Sequence, residues 1–329
     1  MITQTRIILD KNLMFSTPPG LLRVPLAERL FKRVVLLAAA LLLSACASSP
    51  PKSAPISAAP APVESVKKPL KIGLALGGGA ARGFAHVGVI AVLEEAGLKP
   101  QIVAGTSAGS LVAALYASGK TSAQLQQTAL TMEEVTITDW MLPIIGKGVF
   151  RGDALGRYVN QLVGGRLIEN MAIALGIVAT DLNSGQAVLF QRGDTGTAVR
   201  ASSAVPAVFV PVKISGREYV DGGLVSPVPV RFARQMGADI VIAVDISSPP
   251  EANPAGDTLQ ILLQTFAIMG KSINQYELKD ADVVVRPSLA GLKSADFSAR
   301  QRAIDSGRAA MLAALPALKA KLEAGVAMR

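Results

Sequence analysis

The sequence predicts an α/β fold in which a mostly parallel central sheet lies between layers of helices. Two observations carry that prediction. From residue 70 onward, short apolar runs alternate with stretches of helical spacing, the pattern of strands joined by crossover helices. Two of the strand-to-helix junctions are glycine-rich turns, Gly77-Gly78-Gly79 and Gly105-Thr106-Ser107-Ala108-Gly109. Such turns emerge at the carboxyl ends of strands, where open α/β sheets place ligands.

The strands are expected at Lys71–Leu76, Ile102–Ala104, Ile173–Thr180, Gln186–Phe190, Arg217–Val220, Ile240–Val244 and Val283–Arg286. Each is a β-branched or aliphatic run bounded by glycine, proline or polar residues. Helices are expected over 84–96, 108–118, 122–132, 153–163, 196–203, 229–236 and 256–279. Leu111, Val112 and Leu115 show the helical spacing in the second of these, which ends at Gly119. The tail from Asp296 to Ala327 reads as an Ala/Leu/Lys/Arg helix interrupted at Pro316. Between 131 and 153, Trp140, Met141, Leu142, Ile144, Ile145, Val149 and Phe150 are separated by Pro143, Gly146 and Gly148. That stretch fits a hydrophobic flap over a lipid site or an irregular piece of core equally well. In the helix over 256–279, Leu259, Ile261, Leu262, Leu263, Phe266 and Met269 suit core packing first and an acyl groove second.

The N-terminus reads as a targeting segment. Arg29, Lys32 and Arg33 precede an apolar run, Val34 to Leu43, too short to span a bilayer as a helix and bounded like a secretory signal. It ends in Leu43-Ser44-Ala45-Cys46, which resembles the lipobox of bacterial lipoproteins, whose cysteine is cut and acylated. Cys46 is the only cysteine, so no intramolecular disulfide forms. Residues 1–45 are therefore expected to be a signal peptide, with Met14 an alternative start, and Cys46 a lipid-modified membrane anchor. Ala47 in place of aspartate after the cysteine resembles the outer-membrane sorting signal of Gram-negative bacteria, which implies an exported domain facing the periplasm. Residues 46–69, rich in Ala, Pro and Ser, cannot bury a core and read as a semi-extended tether.

Charge and composition exclude several classes. The chain carries +9, of which residues 1–45 hold +4, leaving +5 for the remainder without a basic run. One tryptophan and four tyrosines give no interleaved basic–aromatic stripe, so nucleic acid is not an expected partner. One histidine and one cysteine argue against a metal site, and no cofactor is expected.

Three motifs carry chemistry. Gly105-Thr106-Ser107-Ala108-Gly109 is a G-x-S-x-G turn between strand and helix, the setting of a nucleophile elbow. Its usual partner, a histidine later in the chain, does not exist: the only histidine, His86, precedes Ser107 and reads as a packing or helix-cap residue. A carboxylate can take the proton if it is close and partly desolvated, and Asp221, in Asp221-Gly222-Gly223, is the candidate. The Gly77-Gly78-Gly79-Ala80-Ala81-Arg82-Gly83 loop opens a helix, and its backbone N–H groups suit a phosphate or an oxyanion. The spacing does not keep a dinucleotide G-x-G-x-x-G, since Arg82 stands in place of the last glycine, and no Gly-Lys-Ser/Thr follows to make a P-loop.

In this order and spacing the motifs resemble the patatin-like phospholipase family. The likeness extends through Ala179-Thr180-Asp181-Leu182-Asn183-Ser184-Gly185, Arg200-Ala201-Ser202-Ser203-Ala204-Val205-Pro206 and Pro227-Val228-Pro229, and covers roughly residues 70–290. The resemblance implies a patatin-like three-layer fold over 70–290, followed by a C-terminal helical extension over 291–329. It also implies a Ser–Asp dyad hydrolase acting on acyl esters of lipids, phospholipid or lysophospholipid first. Ser107 falls at the family's nucleophile and Asp221 at its base. Gly77, Gly78, Gly79, Ala80, Arg82 and Gly83 fall within its oxyanion-hole motif, with the N–H groups of Gly78, Gly79 and Ala108 as expected donors. Gly105, Thr106, Ala108 and Gly109 form the elbow; Gly222 and Gly223 complete the acidic motif. Ser226 stands where bacterial relatives often carry Asn. A non-catalytic lipid-binding or lipid-transfer lipoprotein with the same fold is the alternative, and it would call for damage to motifs that are here complete.

Overall fold

A computed structural model describes residues 69–133, 150–249, 256–292 and 296–327. The signal-peptide and tether expectations, Cys46 among them, and the apolar stretch around Trp140 lie outside the described residues.

Strand β1 (Ile72–Leu76) leads through a 3₁₀ turn (Ala80–Phe84) into α1 (Ala85–Glu95). Strand β2 (Ile102–Thr106) leads into α2 (Ala108–Ala117), then α3 (Ser122–Thr131) and α4 (Asp153–Leu162). Strands β3 (Ala174–Asp181) and β4 (Ala187–Phe190) form a hairpin, followed by α5 (Thr195–Ser202). A second hairpin, β5 (Val212–Ile214) and β6 (Arg217–Asp221), precedes α6 (Val230–Gln235) and β7 (Ile240–Val244). Then come α7 (Thr258–Glu277), β8 (Val283–Val285) and α8 (Arg300–Ala327).

The strands form one sheet. β3, β2, β1, β7 and β8 are parallel neighbours in that order, while β4, β5 and β6 are antiparallel additions at the β3 side. Alternation along β1 divides the core. Ile72, Leu74 and Leu76 join the larger cluster with α1, α2, α3 and α8, whereas Ala75 faces α6 with Val230, Phe232 and Ala233. Residue 73 must be small because α6 and the turn after it come so near: a Cβ on Gly73 would lie 2.5 Å from the Ala238 Cβ. Helices thus cover both sheet faces, as the alternation predicts.

Three expectations change. Strand β5 escapes a reading of apolar runs because Lys213 interrupts its two apolar residues, Val212 and Ile214. Its hairpin turn is legible in Ser215-Gly216, both with positive φ (50° and 83°), as a type I′ turn requires. The C-terminal helix runs unbroken through Pro316. The carbonyl freed by proline belongs to Leu312, a residue 48% exposed on the solvent side of the helix. Finally, α7 is not a core helix: only Gly270, Asn274 and Glu277 along it are buried.

The C-terminal segment, expected as an extension, is packed into the α/β body. A Cβ on Gly88 would lie 1.9 Å from the Ile304 carbonyl oxygen, and one on Gly307 would lie 1.9 Å from that of Ala85. The two glycines let the α1 and α8 backbones touch. Met311 and Leu318 are fully buried, and Arg308 grips Glu95 through two bonds of 2.6 and 2.7 Å.

Candidate active site

Sheet register brings the two distant motifs together. Thr106, the last residue of β2, pairs with Val178, and Asp221, the last residue of β6, pairs with the next residue of β3, Ala179. On its other edge β3 pairs the same two residues with Leu189 and Val188 of β4. So β2 and β6 lie end to end along one edge of β3, and their terminal residues meet. Gly222 closes the junction: a Cβ there would lie 2.2 Å from the Val178 carbonyl oxygen and 3.1 Å from the Thr106 methyl. The Thr180 hydroxyl donates to the Asp221 carbonyl at 2.8 Å, and the Asp221 N–H donates to Ala204 O at 2.9 Å, which holds the acidic turn from both sides.

Ser107 sits at the turn between β2 and α2 with φ 53° and ψ −126°, a conformation L-residues avoid at a cost of about 1–3 kcal/mol. Glycines on either side make it possible. A Cβ on Gly105 would lie 2.5 Å from Gly109 O, and one on Gly109 would lie 2.1 Å from Leu76 O. The Ser107 N–H donates to Ser202 Oγ at 2.8 Å, and Ser202 in turn donates to Val178 O at 2.6 Å. The Ser110 hydroxyl donates to the Ser107 carbonyl at 2.6 Å. The strained turn is therefore pinned at both ends while its side chain stays half-exposed.

Asp221 is 7% exposed. Its Oδ1 accepts the Gly223 N–H at 2.7 Å, and its Oδ2 is buried with no partner in hydrogen-bond geometry. Burial pushes this carboxyl up to about 6, while the adjacent Ser107 hydroxyl and the Gly223 N–H pull it down. A carboxylate poised near neutrality beside a strained serine can accept a proton from it.

The glycine loop lies against the same serine: a Cβ on Gly78 would sit 3.1 Å from Ser107 Cβ. Two of its N–H groups are committed to the fold, Gly77 to Val244 O at 3.1 Å and Gly78 to Pro227 O at 2.9 Å. The expectation that Gly78 donates to a reacting oxygen therefore fails, because that N–H ties the loop to the segment after the Asp-Gly-Gly turn. The N–H groups of Gly79 and of Ala108, first residue of α2, are not so committed. Arg82 is buried, its guanidinium lowered to about 10 by burial against the opposing pull of Asp245, and it stays charged at neutral pH. Its Nε has no hydrogen-bond partner among the described residues. Gly83 gives the loop close contact with α2, since a Cβ there would lie 2.9 Å from that of Ala108.

His86 packs as expected, fully buried on α1, and also supports the site. Its Nε2 lies 2.8 Å from Gly77 O, and burial lowers its imidazole to about 4. The ring is neutral in the working range, so Nε2 carries a proton and donates it to the loop carbonyl. Two further residues were not singled out for the site by motif reading. Ser202 holds the elbow N–H; the only sequence signal for it is its place in the Arg200–Pro206 segment. Glu277, at the end of α7, accepts the buried Ser226 hydroxyl at 2.6 Å, and Ser226 O accepts the Thr106 hydroxyl at 2.9 Å. Nothing in the sequence around Glu277 announces that link. Among the described residues, no group of three or more His, Cys, Asp or Glu side chains is arranged to hold a metal ion.

Residues 74–234 match the family model described as patatin-like phospholipase. An uncharacterized NTE family protein of Mycobacterium tuberculosis is 38% identical over 188 residues, covering 57% of this chain and 52% of that protein. Human patatin-like phospholipase domain-containing protein 6 is 32% identical over 233 residues, covering 68% of this chain and 16% of that protein. The chain thus spans about half the length of the mycobacterial relative and a far smaller share of the human one. Among solved structures, VipD from Legionella pneumophila superposes with a TM-score of 0.51 at 14% identity over 75% of this chain and 66% of VipD, a likeness of fold. Through residues 74–234, which hold the glycine loop, the serine elbow and the Asp-Gly-Gly turn, this chain is similar to the patatin-like phospholipase family.

Proposed function

We propose that the chain is a lipid acyl hydrolase of phospholipase or lysophospholipase type, with Ser107 as nucleophile and Asp221 as its base. The observation that carries this reading is the meeting of a strained, half-exposed Ser107 with a buried carboxyl raised to about 6. Asp221 takes the Ser107 proton as the oxygen attacks an ester carbonyl. The tetrahedral oxyanion is held by the N–H groups of Gly79 and Ala108, with the positive end of α2 and the charge on Arg82 adding to the field. Collapse expels the alcohol, which takes the proton back from Asp221. Water then gives a proton to Asp221 and attacks the acyl-enzyme, releasing the fatty acid and restoring the Ser107 hydroxyl.

The proposed chain is exported and anchored by lipid on Cys46, with its domain on a tether at the outer membrane facing the periplasm. Support for that part is sequence alone: the basic flank, the short apolar run and Leu43-Ser44-Ala45-Cys46. Mass spectrometry of the N-terminal peptide of the mature protein tests it, the expected result being a diacylglyceryl thioether on Cys46. The hydrolase is tested with a fluorogenic phospholipid and a fluorophosphonate probe. Wild type should turn over the first and be labelled by the second; Ser107→Ala should do neither. Hydrolysis that survives Ser107→Ala sinks the nucleophile assignment.

A further inference from the structure

Helix α7 is built like a buried helix and is not buried. Asp257 caps it, its side chain accepting the Gln260 N–H at 2.8 Å, and no charged residue follows until Lys271. A helix apolar on all sides ordinarily lies in a core. Here Ile261 is 55% exposed, Ile268 52%, Met269 46% and Leu259 42%. Ile261 and Ile268, seven apart, share one face. Leu259 and Leu263 lie on the stripe that Gly270, Asn274 and Glu277 bury farther along. Among the described residues, that stripe is covered at the carboxyl end of α7 and bare at the amino end.

The covered end is fixed to the catalytic turn. Glu277 holds the Ser226 hydroxyl, and a Cβ on Gly270 would lie 3.5 Å from the Pro227 ring, both partners falling within six residues of Asp221. The exposed charges at this end are Lys271, Lys279 and Asp280, a net of one positive charge. Of the three charged residues between Thr258 and Lys279, Glu277 is buried, and Lys271 and Lys279 are exposed. Tyr276 is 72% exposed with the Lys279 ammonium 5.0 Å from its ring centre. Apolar residues beside lysine and tyrosine suit the headgroup boundary of a bilayer, where the apolar parts enter and the cations meet anionic lipid. No helix among the described residues is long and apolar enough to cross a membrane.

We propose that the Thr258–Gly270 half of α7 is a lipid-docking helix that lies on a bilayer surface containing anionic phospholipid and holds the Asp221 turn at headgroup level. The choice of a lipid surface over a protein partner rests on the reading of the chain as a lipid hydrolase, together with the exposed Tyr276, Lys271 and Lys279 that adjoin the bare apolar half of the helix.

Because Cys46 is the only cysteine, a dye can be placed at one position in the full chain. In a Cys46→Ser background, Ile268→Cys or Ile261→Cys is labelled with an environment-sensitive nitrobenzoxadiazole, and Lys319→Cys on the exposed side of α8 serves as control. With phosphatidylglycerol vesicles, the dye at 268 and 261 should shift to the blue and be quenched by nitroxide-labelled acyl chains, and the dye at 319 should not. Ile261→Glu with Ile268→Glu should lower capture of a short-lived vesicle complex about tenfold or more when the dye is read at Leu259→Cys. An aqueous signal at 268 and 261 on vesicles overturns the proposal, even if the protein pellets with them through another segment. A blue shift without vesicles that grows with protein concentration also overturns it, and assigns the face to a second copy of the chain. The readout needs no turnover: docking that persists in Ser107→Ala, or in a wild type that cleaves no ester, separates this inference from the fate of the hydrolase reading.

Discussion

Asp221→Asn should make the protein more stable near neutral pH while removing its activity. The carboxyl rises from the ordinary 3.8 of an aspartate to about 6 in the fold because burial disfavours its charged form. Such a rise corresponds to about 3 kcal/mol carried against folding by the ionised group. The sign follows from proton binding: between pH 3.8 and about 6 the native state holds the extra proton, so stability falls as pH rises through that window and stays low above it. Asparagine removes the charge and keeps an oxygen for the Gly223 N–H, so the variant should gain about 1–3 kcal/mol near neutrality and nothing at the acid end. Turnover should drop by about 10²–10⁴-fold.

His86 supplies the complementary half of the experiment. Burial lowers it from 6.5 to about 4, so the unfolded chain takes its proton first and stability is lost as pH falls through that range, by about 3 kcal/mol. The two groups therefore oppose each other over nearly the same window, and wild-type stability should change little there on their account. Denaturant unfolding from about pH 4 to 8 in wild type, Asp221→Asn and His86→Gln checks this. Asp221→Asn should weaken towards acid and His86→Gln should strengthen. An Asp221→Asn variant no more stable than wild type near pH 7, or one whose advantage persists unchanged at about pH 4, would refute the reasoning.

The glycines separate packing from chemistry. Gly109→Ala drives a Cβ to 2.1 Å from Leu76 O and should prevent folding, whereas Gly78→Ala meets nothing nearer than Ser107 Cβ at 3.1 Å and should fold with turnover lost, as solubility and kinetics will show. Ser202→Ala strips the acceptor from the Ser107 N–H and should cost about 1–3 kcal/mol of stability, with kcat falling more than KM rises. Glu277→Leu leaves the Ser226 hydroxyl buried and unpaired, costing about 1–3 kcal/mol. Glu277→Gln should recover most of that, and melting temperatures of the pair check it.

What the sequence made legible was local. The apolar runs marked seven of the eight strands, and the glycine loop, the elbow and the Asp-Gly-Gly turn could each be placed at a strand end. Their meeting was not legible, because it depends on β2 and β6 sharing one edge of β3 with Val178 and Ala179 as successive partners. Register of that kind is set by pairing across about seventy residues of chain on one side and about forty on the other, and no local pattern reports it. The commitment of the Gly78 N–H is hidden from local reading for a related reason. A glycine-rich loop advertises free N–H groups, but Pro227, contributed from far along the chain, had already claimed this one. In α7, spacing points to a buried face, and only the solvent exposure of Ile261 and Ile268 shows that the described residues do not cover it.

Ser107 itself shows how the local rules and the site diverge. It occupies the N-cap position of α2, where serine normally turns its hydroxyl back onto the N–H groups of the first turn, and here it makes no such bond. Forgoing the cap costs about 1 kcal/mol, and the positive φ costs about 1–3 more. Neither is recovered at the residue. Both are offset by bonds from neighbours, Ser202 on the amide, Ser110 on the carbonyl and His86 on the adjacent loop. The arrangement leaves the hydroxyl beside Asp221, with the Ala108 N–H at the same turn, whereas a capping serine would have turned its oxygen to the Gly109 or Ser110 N–H. Local destabilisation concentrated at one residue, with its supports spread over three other residues, is the pattern expected where a fold has been shaped around a reaction rather than around its own stability.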